Sequence, residues 1–583
     1  MHPRQPADSL QVVCDAPEPR VPSYPDIPNA DLLDRIPLDA RTVLDVGCGT
    51  GALGAAYRQL NPRAVLLGID NNPEAAAIAA QRLDQVAVTD IETDPLPFQL
   101  DTGIDCIIYG DILEHLENPW DTLRRHVDAL SEDGTILICV PNVEHWSFAA
   151  RLLHGNWQYE PSGLLDATHL RWFSLDSMRR MLLEVGLALC DVHPRVFDAD
   201  KGRAFANAIG PSLRAMGVDP QEYLTRASAI QYVWRARKRA RQRLTVAGTM
   251  LEPIGGVSHV RVVYPLRAMA SDPSVTTHIV TPPQMPPAEP GTPRICILHR
   301  PVLAGARGAD MVRRLLAEDW LVVTEFDDHP DFFAALRGDE QLSFRGVHAV
   351  QTSTPALAET LRSRNPEVMV FPNAVRVLPE PCNFRLPETM TLFFGALNRE
   401  RDWEPLMPAL NAVAAAAGGR LRFEVVHDRA FFQALETEHK KFTPTCDHDT
   451  YMELLAGCEI AFMPLSDNAF NRAKSDLKFI EAAACRAVAL ASPIVYRASI
   501  EDGRTGVLFE DAAELHDRLS RLLYMPDVSL AIAEAARQYV AQNRMLAYQV
   551  GDRIAWYRSL WDRRDELNAA LRARLAGTPM PAV

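Results

Sequence analysis

The stretch Thr42-Val-Leu-Asp-Val-Gly-Cys-Gly-Thr-Gly51 constrains the fold more than any other part of the chain. Thr42 to Val46 read as a short buried strand, and an Ala-rich helix follows Gly51. Glycines at the end of a parallel strand let the backbone approach a ligand with no Cβ in the way. The N-terminus of the next helix offers free N–H groups. A second apolar run, Ala64-Val-Leu-Leu-Gly-Ile, ends in Asp70, 19 residues after Gly51. An acidic residue there can accept both hydroxyls of a ribose.

Further apolar runs at 85–89, 104–109 and 135–140 alternate with helical patterns, which implies α/β architecture and a parallel, doubly wound sheet. The glycines run G-C-G-T-G with Asp45 two residues ahead, where a dinucleotide fold has G-x-G-x-x-G. This pattern resembles the class I S-adenosylmethionine (SAM) methyltransferases. The resemblance implies that Asp45 and the turn Gly47, Cys48, Gly49 and Gly51 surround the amino-acid part of SAM. It puts Asp70 and Asn71 at the ribose side and Asp90-Ile91 at the adenine. Asp111, in Asp111-Ile-Leu-Glu-His-Leu116, completes the cofactor set; this form and Pro141-Asn142 resemble ubiquinone-type O-methyltransferases and their relatives in polysaccharide gene clusters. Asp166-Ala-Thr-His-Leu-Arg-Trp-Phe173 resembles a segment that covers the acceptor pocket there. Methyl transfer to a hydroxyl needs alignment and a proton acceptor, and His115 and His169 are the candidate catalytic residues. No metal is assigned, because Glu114 with one imidazole is a thin ligand set.

A chain of 583 residues holds three or four compact units, at roughly 100–200 residues per domain. A net charge of −15 argues against general nucleic-acid binding. Ten cysteines without a CxxC pair suggest reduced thiols and a cytoplasmic setting. The first ten residues lack the apolar core of a signal peptide. No apolar run reaches membrane-spanning length. Peripheral contact with the inner membrane face stays open, because Arg235–Arg243, after Trp234, carries six cations in nine residues. Those cations surround a helix on all sides, so a solvated connecting helix is favoured. The expected boundaries are a Pro-rich disordered lead-in at 1–30, a methyltransferase domain at 31–190 and a helical linker at 191–243. Two further αβ units are expected at 244–375 and 376–583, the latter including C-terminal helices. A piece ending near residue 235 is expected to fold alone.

The second αβ region carries its own chemistry in Asn471-Arg-Ala-Lys-Ser-Asp-Leu-Lys-Phe-Ile-Glu481. Ser475 is positioned to cap a helix running through Cys485. Lys474, Lys478 and Glu481 are spaced i, i+4, i+7 and point to one side. Lysines at a helix N-terminus attract a diphosphate, and the carboxylate two turns on suits ribose hydroxyls. This resembles the retaining glycosyltransferases of the GT-B fold, two facing Rossmann-like lobes, in the family that includes sucrose and glycogen synthases. Phe371-Pro-Asn-Ala-Val375 resembles the interlobe connection, Gly395 with Arg399 and Arg401 a phosphate-side loop, and Asp502-Gly-Arg-Thr-Gly-Val-Leu-Phe509 a motif late in the second lobe. Gly255, Gly256 and His259 match the acceptor-side loop. Three residues depart from the family: Ala473 stands at its first conserved Glu, Arg486 at a usual Gly, and Ala487 at a usual Pro. The pair Asp327-Asp328 is read as acceptor-side or hinge, and Cys446-Asp-His448 as a loop without zinc spacing.

The expectation is therefore a SAM methyltransferase fused to a nucleotide-sugar-dependent glycosyltransferase, acting on a glycan or glycosylated acceptor. Two other readings stand beside it. In one the second half only binds glycan; in the other both units form a non-enzymatic assembly platform. The sugar, its nucleotide and the oligomeric state are open.

Overall fold

The computed structural model describes residues 26–100, 102–250, 256–280, 284–287, 289–336, 341–385 and 388–576. The lead-in as far as residue 25 and the loop glycine Gly255 lie outside the described residues. Three sheets follow one another along the chain. The first contains β1 (Thr42–Val46), β2 (Val65–Asp70), β3 (Gln85–Val88), β4 (Ile104–Gly110), β5 (Leu130–Pro141), β6 (Ala188–Arg195) and β7 (Gln231–Arg237), in the order β3-β2-β1-β4-β5-β7-β6. β1 to β5 are parallel, and β7 runs antiparallel to both β5 and β6. β1 is buried along its whole length, as a strand covered by helices on both faces must be.

The second sheet contains β8 (Leu244–Thr249), β9 (Val275–Val280), β10 (Arg294–His299), β11 (Leu321–Glu325), β12 (Ala349–Thr352) and β13 (Val368–Val370), ordered β13-β12-β11-β10-β8-β9. The third contains β14 (Met390–Gly395), β15 (Leu421–Val426), β16 (Lys440–Thr443), β17 (Ile460–Met463), β18 (Val488–Ala491) and β19 (Val507–Leu508), ordered β16-β15-β14-β17-β18-β19. Both are wholly parallel. In open parallel sheets ligands bind outside the strand carboxyl ends where the strand order reverses. Those places are β1/β4, β8/β10 and β14/β17.

Two expectations need correction. Residues 191–243 are not a helical linker. They finish β6, form the helices Ala199–Ala215 and Pro220–Ala227, and return as β7 inside the first sheet. The cations of the basic run are therefore not a solvated helix. Arg235 and Arg237 are buried in β7, paired with Asp191 and Asp272 at 2.5 and 3.1 Å. Of the C-terminal helices, Ala512–Tyr524 and Pro526–Asn543 pack on the third sheet as expected, but the last two do not. A bridge between Val375 and Met545 marks where the chain crosses back. Val550–Asp562 and Arg564–Leu575 then pack on the second sheet, with Tyr557 donating to Gln351 Oε1 (2.7 Å) and His348 Nε2 meeting Asn568 Oδ1 (3.0 Å).

The first domain is fastened to the second sheet's lobe. Leu38 N–H donates to Ser271 Oγ (2.8 Å), Arg235 to the Ser271 carbonyl (2.8 Å), and Leu378 N–H to the Gln59 carbonyl (2.9 Å). Among the described residues no helix is long and apolar enough to cross a membrane.

Candidate functional sites

At the end of β1, Gly47, Gly49 and Gly51 all take positive φ, at 76, 52 and 77°. A Cβ on Gly47 would fall 2.0 Å from Ile112, so the turn admits nothing larger. Gly51 opens the helix Ala52–Leu60, whose N–H groups face the turn. Asp70, only 4% exposed, accepts from Gly49 N–H and Asn72 N–H, each at 2.8 Å. In this arrangement it braces the turn. Burial and the neighbouring Asp70 charge push the Asp45 carboxyl up to about 7. Cys48 is buried against Gly68. Asn71 and Asp90 are exposed beyond β2 and β3, and Ile91 packs on the core beside them.

Asp111 ends β4 with a φ of 59° and accepts from the Gln231 side chain on β7. Burial lifts its carboxyl to about 6. Three residues on, Glu114 is 1% exposed, and neither carboxylate oxygen has a partner. Burial and the Asp111 charge raise it well above the usual carboxylate range. The Glu114 carbonyl accepts from Leu170 and Arg171 N–H (2.7 and 3.0 Å), which seats the 166–173 segment on this loop. His115 Nδ1 meets Thr168 Oγ1 at 3.0 Å, and the His169 ring stands edge-on to His115 with centroids 4.8 Å apart. The fold thus supplies what the sequence reading missed. Ligand atoms of Glu114, His115 and His169 all lie within 4.8 Å of one another, a set able to hold a cation.

The second and third sheets face each other across a cavity of about 300 Å³. Gly256, Gly395, Arg399, Lys474, Ser475, Lys478 and Glu481 all line it, so the fold brings these residues to one place. Lys478 Nζ donates to the Gly395 carbonyl (2.6 Å) and the Tyr451 hydroxyl (3.1 Å), and burial lowers its pKa. Lys474 crosses the cleft to Asp328 at 2.9 Å, and Arg300 holds Asp327 at 2.7 Å. The acidic pair is therefore neutralised by one cation from each lobe. Arg399 binds Asp402 (3.0 Å) and Asn471 (2.8 Å). A Cβ on Gly395 would strike Tyr451 at 2.5 Å.

Ser475 is not the helix cap. The helix is Leu477–Ala484 with Asp476 before it, and Ser475 Oγ instead accepts from Asn373 of the interlobe connection at 2.7 Å. Asp476 is held by Arg544 and the Ser499 hydroxyl. Arg486 sits just past this helix with a φ of 58°, a left-handed position suited to the family's usual Gly.

His448, expected in a loop, instead opens the helix His448–Ala456 and joins the cleft. Asp447 caps its helix, and the ring links Glu481 Oε1 (2.9 Å) to the Tyr264 hydroxyl (3.0 Å) of the facing lobe. His259 stacks on it at 6.2 Å. The Asp–His step at a helix start was the visible sign.

The sequence model of a family described as "Methyltransferase domain" matches residues 26–192, and one described as "Glycosyl transferase-like" matches 405–553. The chain therefore carries a methyltransferase domain followed by a glycosyl transferase-like domain, the second match falling on the third sheet and the helices after it. Over 140 residues it is 34% identical to trans-aconitate 2-methyltransferase of Klebsiella pneumoniae, 24% of this chain and 49% of that protein. It thus spans about half the length of the curated relatives it matches. Among solved structures it is similar to Anabaena HepE in complex with UDP-glucose (TM-score 0.40, 13% identity, 54% of this chain and all of that one). It is also similar to the plantazolicin methyltransferase BpumL in complex with SAH (TM-score 0.24, 21% identity, 34% and 77%).

Proposed function

We propose that the chain is bifunctional: a SAM-dependent methyltransferase, acting on a hydroxyl, joined to a retaining nucleotide-sugar-dependent glycosyltransferase, both serving glycan biosynthesis. The observation that carries the second half is one helix, Leu477–Ala484, which with Lys474 just before it brings two lysines and Glu481 into a cleft between two parallel sheets. Lysines there meet a diphosphate, and Glu481 takes ribose hydroxyls in place of His448. Ala473 supports the reading that this half binds donor but transfers slowly, since the carboxylate carried at this position by the family it resembles is missing. Lys478→Ala and Glu481→Ala will each weaken nucleotide-sugar binding at least tenfold, about 1.4 kcal/mol, with SAM affinity unchanged. A calorimetric panel of nucleotide sugars reads this, and full retention of binding would place the donor elsewhere.

For the first half, the left-handed glycine turn and buried Asp45 fit the amino-acid end of SAM, and Asp70 the ribose. Bound there, SAM supplies a methyl group on a positively charged sulfur. His115, oriented by Thr168, and His169 stand over this end of the sheet to accept the acceptor's proton. The unpartnered Glu114 carboxylate supports a second reading, in which Glu114, His115 and His169 hold a divalent cation that activates the hydroxyl. Chelation followed by metal add-back separates the two. Loss and recovery of methyl transfer assigns the histidines as ligands, and indifference assigns them as proton acceptors.

A further inference from the structure

The helices Ala199–Ala215 and Pro220–Ala227, inserted between β6 and β7, enclose a second cavity of about 320 Å³ against the helix Trp146–Leu153. This cavity lies just beyond the carboxyl end of β5, the side of the sheet where ligands bind. Its wall is largely apolar, with Val143, Phe148, Leu213 and Val218 among its residues. Leu152 at its rim is 59% exposed, and the adjacent Leu153 71%.

Two polar atoms in that wall lack partners. The Tyr223 hydroxyl and Arg226 Nε are buried and unbonded, three residues apart on one helix and so on one face. Arg226 spends another nitrogen on Glu144 (2.6 Å). Unsatisfied buried donors are costly, and two on one face await an acceptor oxygen.

The cavity also connects to the proposed reaction centre through a row of rings. His115 to His169 is 4.8 Å, His169 to Trp172 5.7 Å, and Trp172 to Phe148 5.4 Å. Trp157, 41% exposed, packs on both Phe148 and Trp172 at 5.8 Å. Phe148 is at once the last ring of the row and a wall of the cavity. Flat rings present faces on which the C–H surface of a sugar packs. Apolar space beyond them suits a chain or ring with no hydrogen-bonding groups.

We infer that the methyl acceptor is a sugar carried on an apolar aglycone: the sugar lies along Trp172 and Trp157, and the aglycone fills the cavity under the 199–227 helices, its linking oxygen facing Tyr223 and Arg226. This rests on the methyltransferase reading of the first domain, and it excludes a free monosaccharide or a wholly polar acid as the preferred acceptor.

The test uses the full chain and two probes, n-octyl and methyl β-D-glucopyranoside, the former kept below its micelle concentration. By calorimetry the octyl glycoside binds at least tenfold more tightly. Leu213→Phe, which fills the cavity, and Leu152→Asp, an exposed substitution at its mouth, each abolish that difference while leaving SAM affinity unchanged. Equal binding of the two glycosides, no binding of the octyl compound, or an octyl preference that survives both variants overturns the inference. SAH release is measured separately. Octyl glycoside binding without methyl transfer to any glycoside would sink the methyltransferase assignment and leave the apolar site standing.

Discussion

A chain ending at residue 190 will fail to form the first domain, whereas one ending near residue 240 will fold and bind SAM. The reason is the position of β7. It is last in sequence but sits between β5 and β6, hydrogen-bonded to both over Gln231–Arg237. Without it β5 keeps only one neighbour, and the stub of β6 that remains, Ala188–Cys190, has none. Trp234, 1% exposed, and the fully buried Val233 leave the core with it. Burying apolar surface stabilises by roughly 25 cal/mol per Å², so losing a tryptophan and a central strand exceeds the 5–15 kcal/mol by which a domain is typically stable. The cofactor site suffers as well, since Gln231 is the residue that holds Asp111. The piece ending at 235 that the sequence suggested stops inside the strand and omits Ala236 and Arg237. Circular dichroism melts and SAM titration of the two fragments check this. A cooperative melt and full-chain SAM affinity from the 190-residue piece would show that β7 is dispensable.

Tyr232-Val-Trp-Arg-Ala-Arg237 alternates, with Trp234 and Ala236 toward one face and Val233, Arg235 and Arg237 toward the other. That period of two was visible. Cations almost never lie fully buried unless paired, and the partners Asp191, Asp272 and the carbonyls of 270–271 come from distant parts of the chain. No local pattern shows them. By contrast, the glycine turn and the Lys474, Lys478, Glu481 spacing were legible, because backbone sterics and helical periodicity act within a few residues. The Ser475 cap failed for the first reason again. A serine before a helix is a local signal, but here Asn373, 102 residues away, claims its hydroxyl. His448 escaped because its importance lies in two partners, Tyr264 and Glu481, that only the lobe arrangement brings together.

The other large effect is expected at Arg261. This side chain is 2% exposed and faces Glu325, at 0% exposure, through paired contacts of 2.9 and 3.1 Å. Its remaining nitrogen donates to the Phe371 carbonyl and to Asn373 Oδ1, both at 2.8 Å. Glu325 also accepts from Gln351 (2.8 Å), which Tyr557 holds in turn. One cation thus ties the segment His259–Val263, β11 and the stretch Phe371–Asn373 to the helix Val550–Asp562. Arg261→Met takes away the guanidinium that hydrogen-bonds Glu325 and leaves the buried Arg553 as its remaining nearby cation, and removing one partner of such a pair costs up to about 3–5 kcal/mol. Burial already raises the Glu325 pKa against the pull of Arg261, and without the arginine it rises further. A carboxylate whose folded pKa is raised destabilises fully above that pKa, and the cost shrinks as pH falls toward the unfolded value. The variant will therefore regain more stability on acidification than the parent does. Arg261→Met with Glu325→Leu removes both charges and recovers most of the loss, because an apolar pair of similar volume often replaces a buried ion pair without penalty. Urea unfolding at two pH values reads all three effects, and a single variant within about 0.5 kcal/mol of the parent would refute the role given to Arg261. Because Asn373 also donates to Ser475 in the donor cleft, the single variant will raise the KM for nucleotide sugar, while the SAM site in the first domain keeps its affinity.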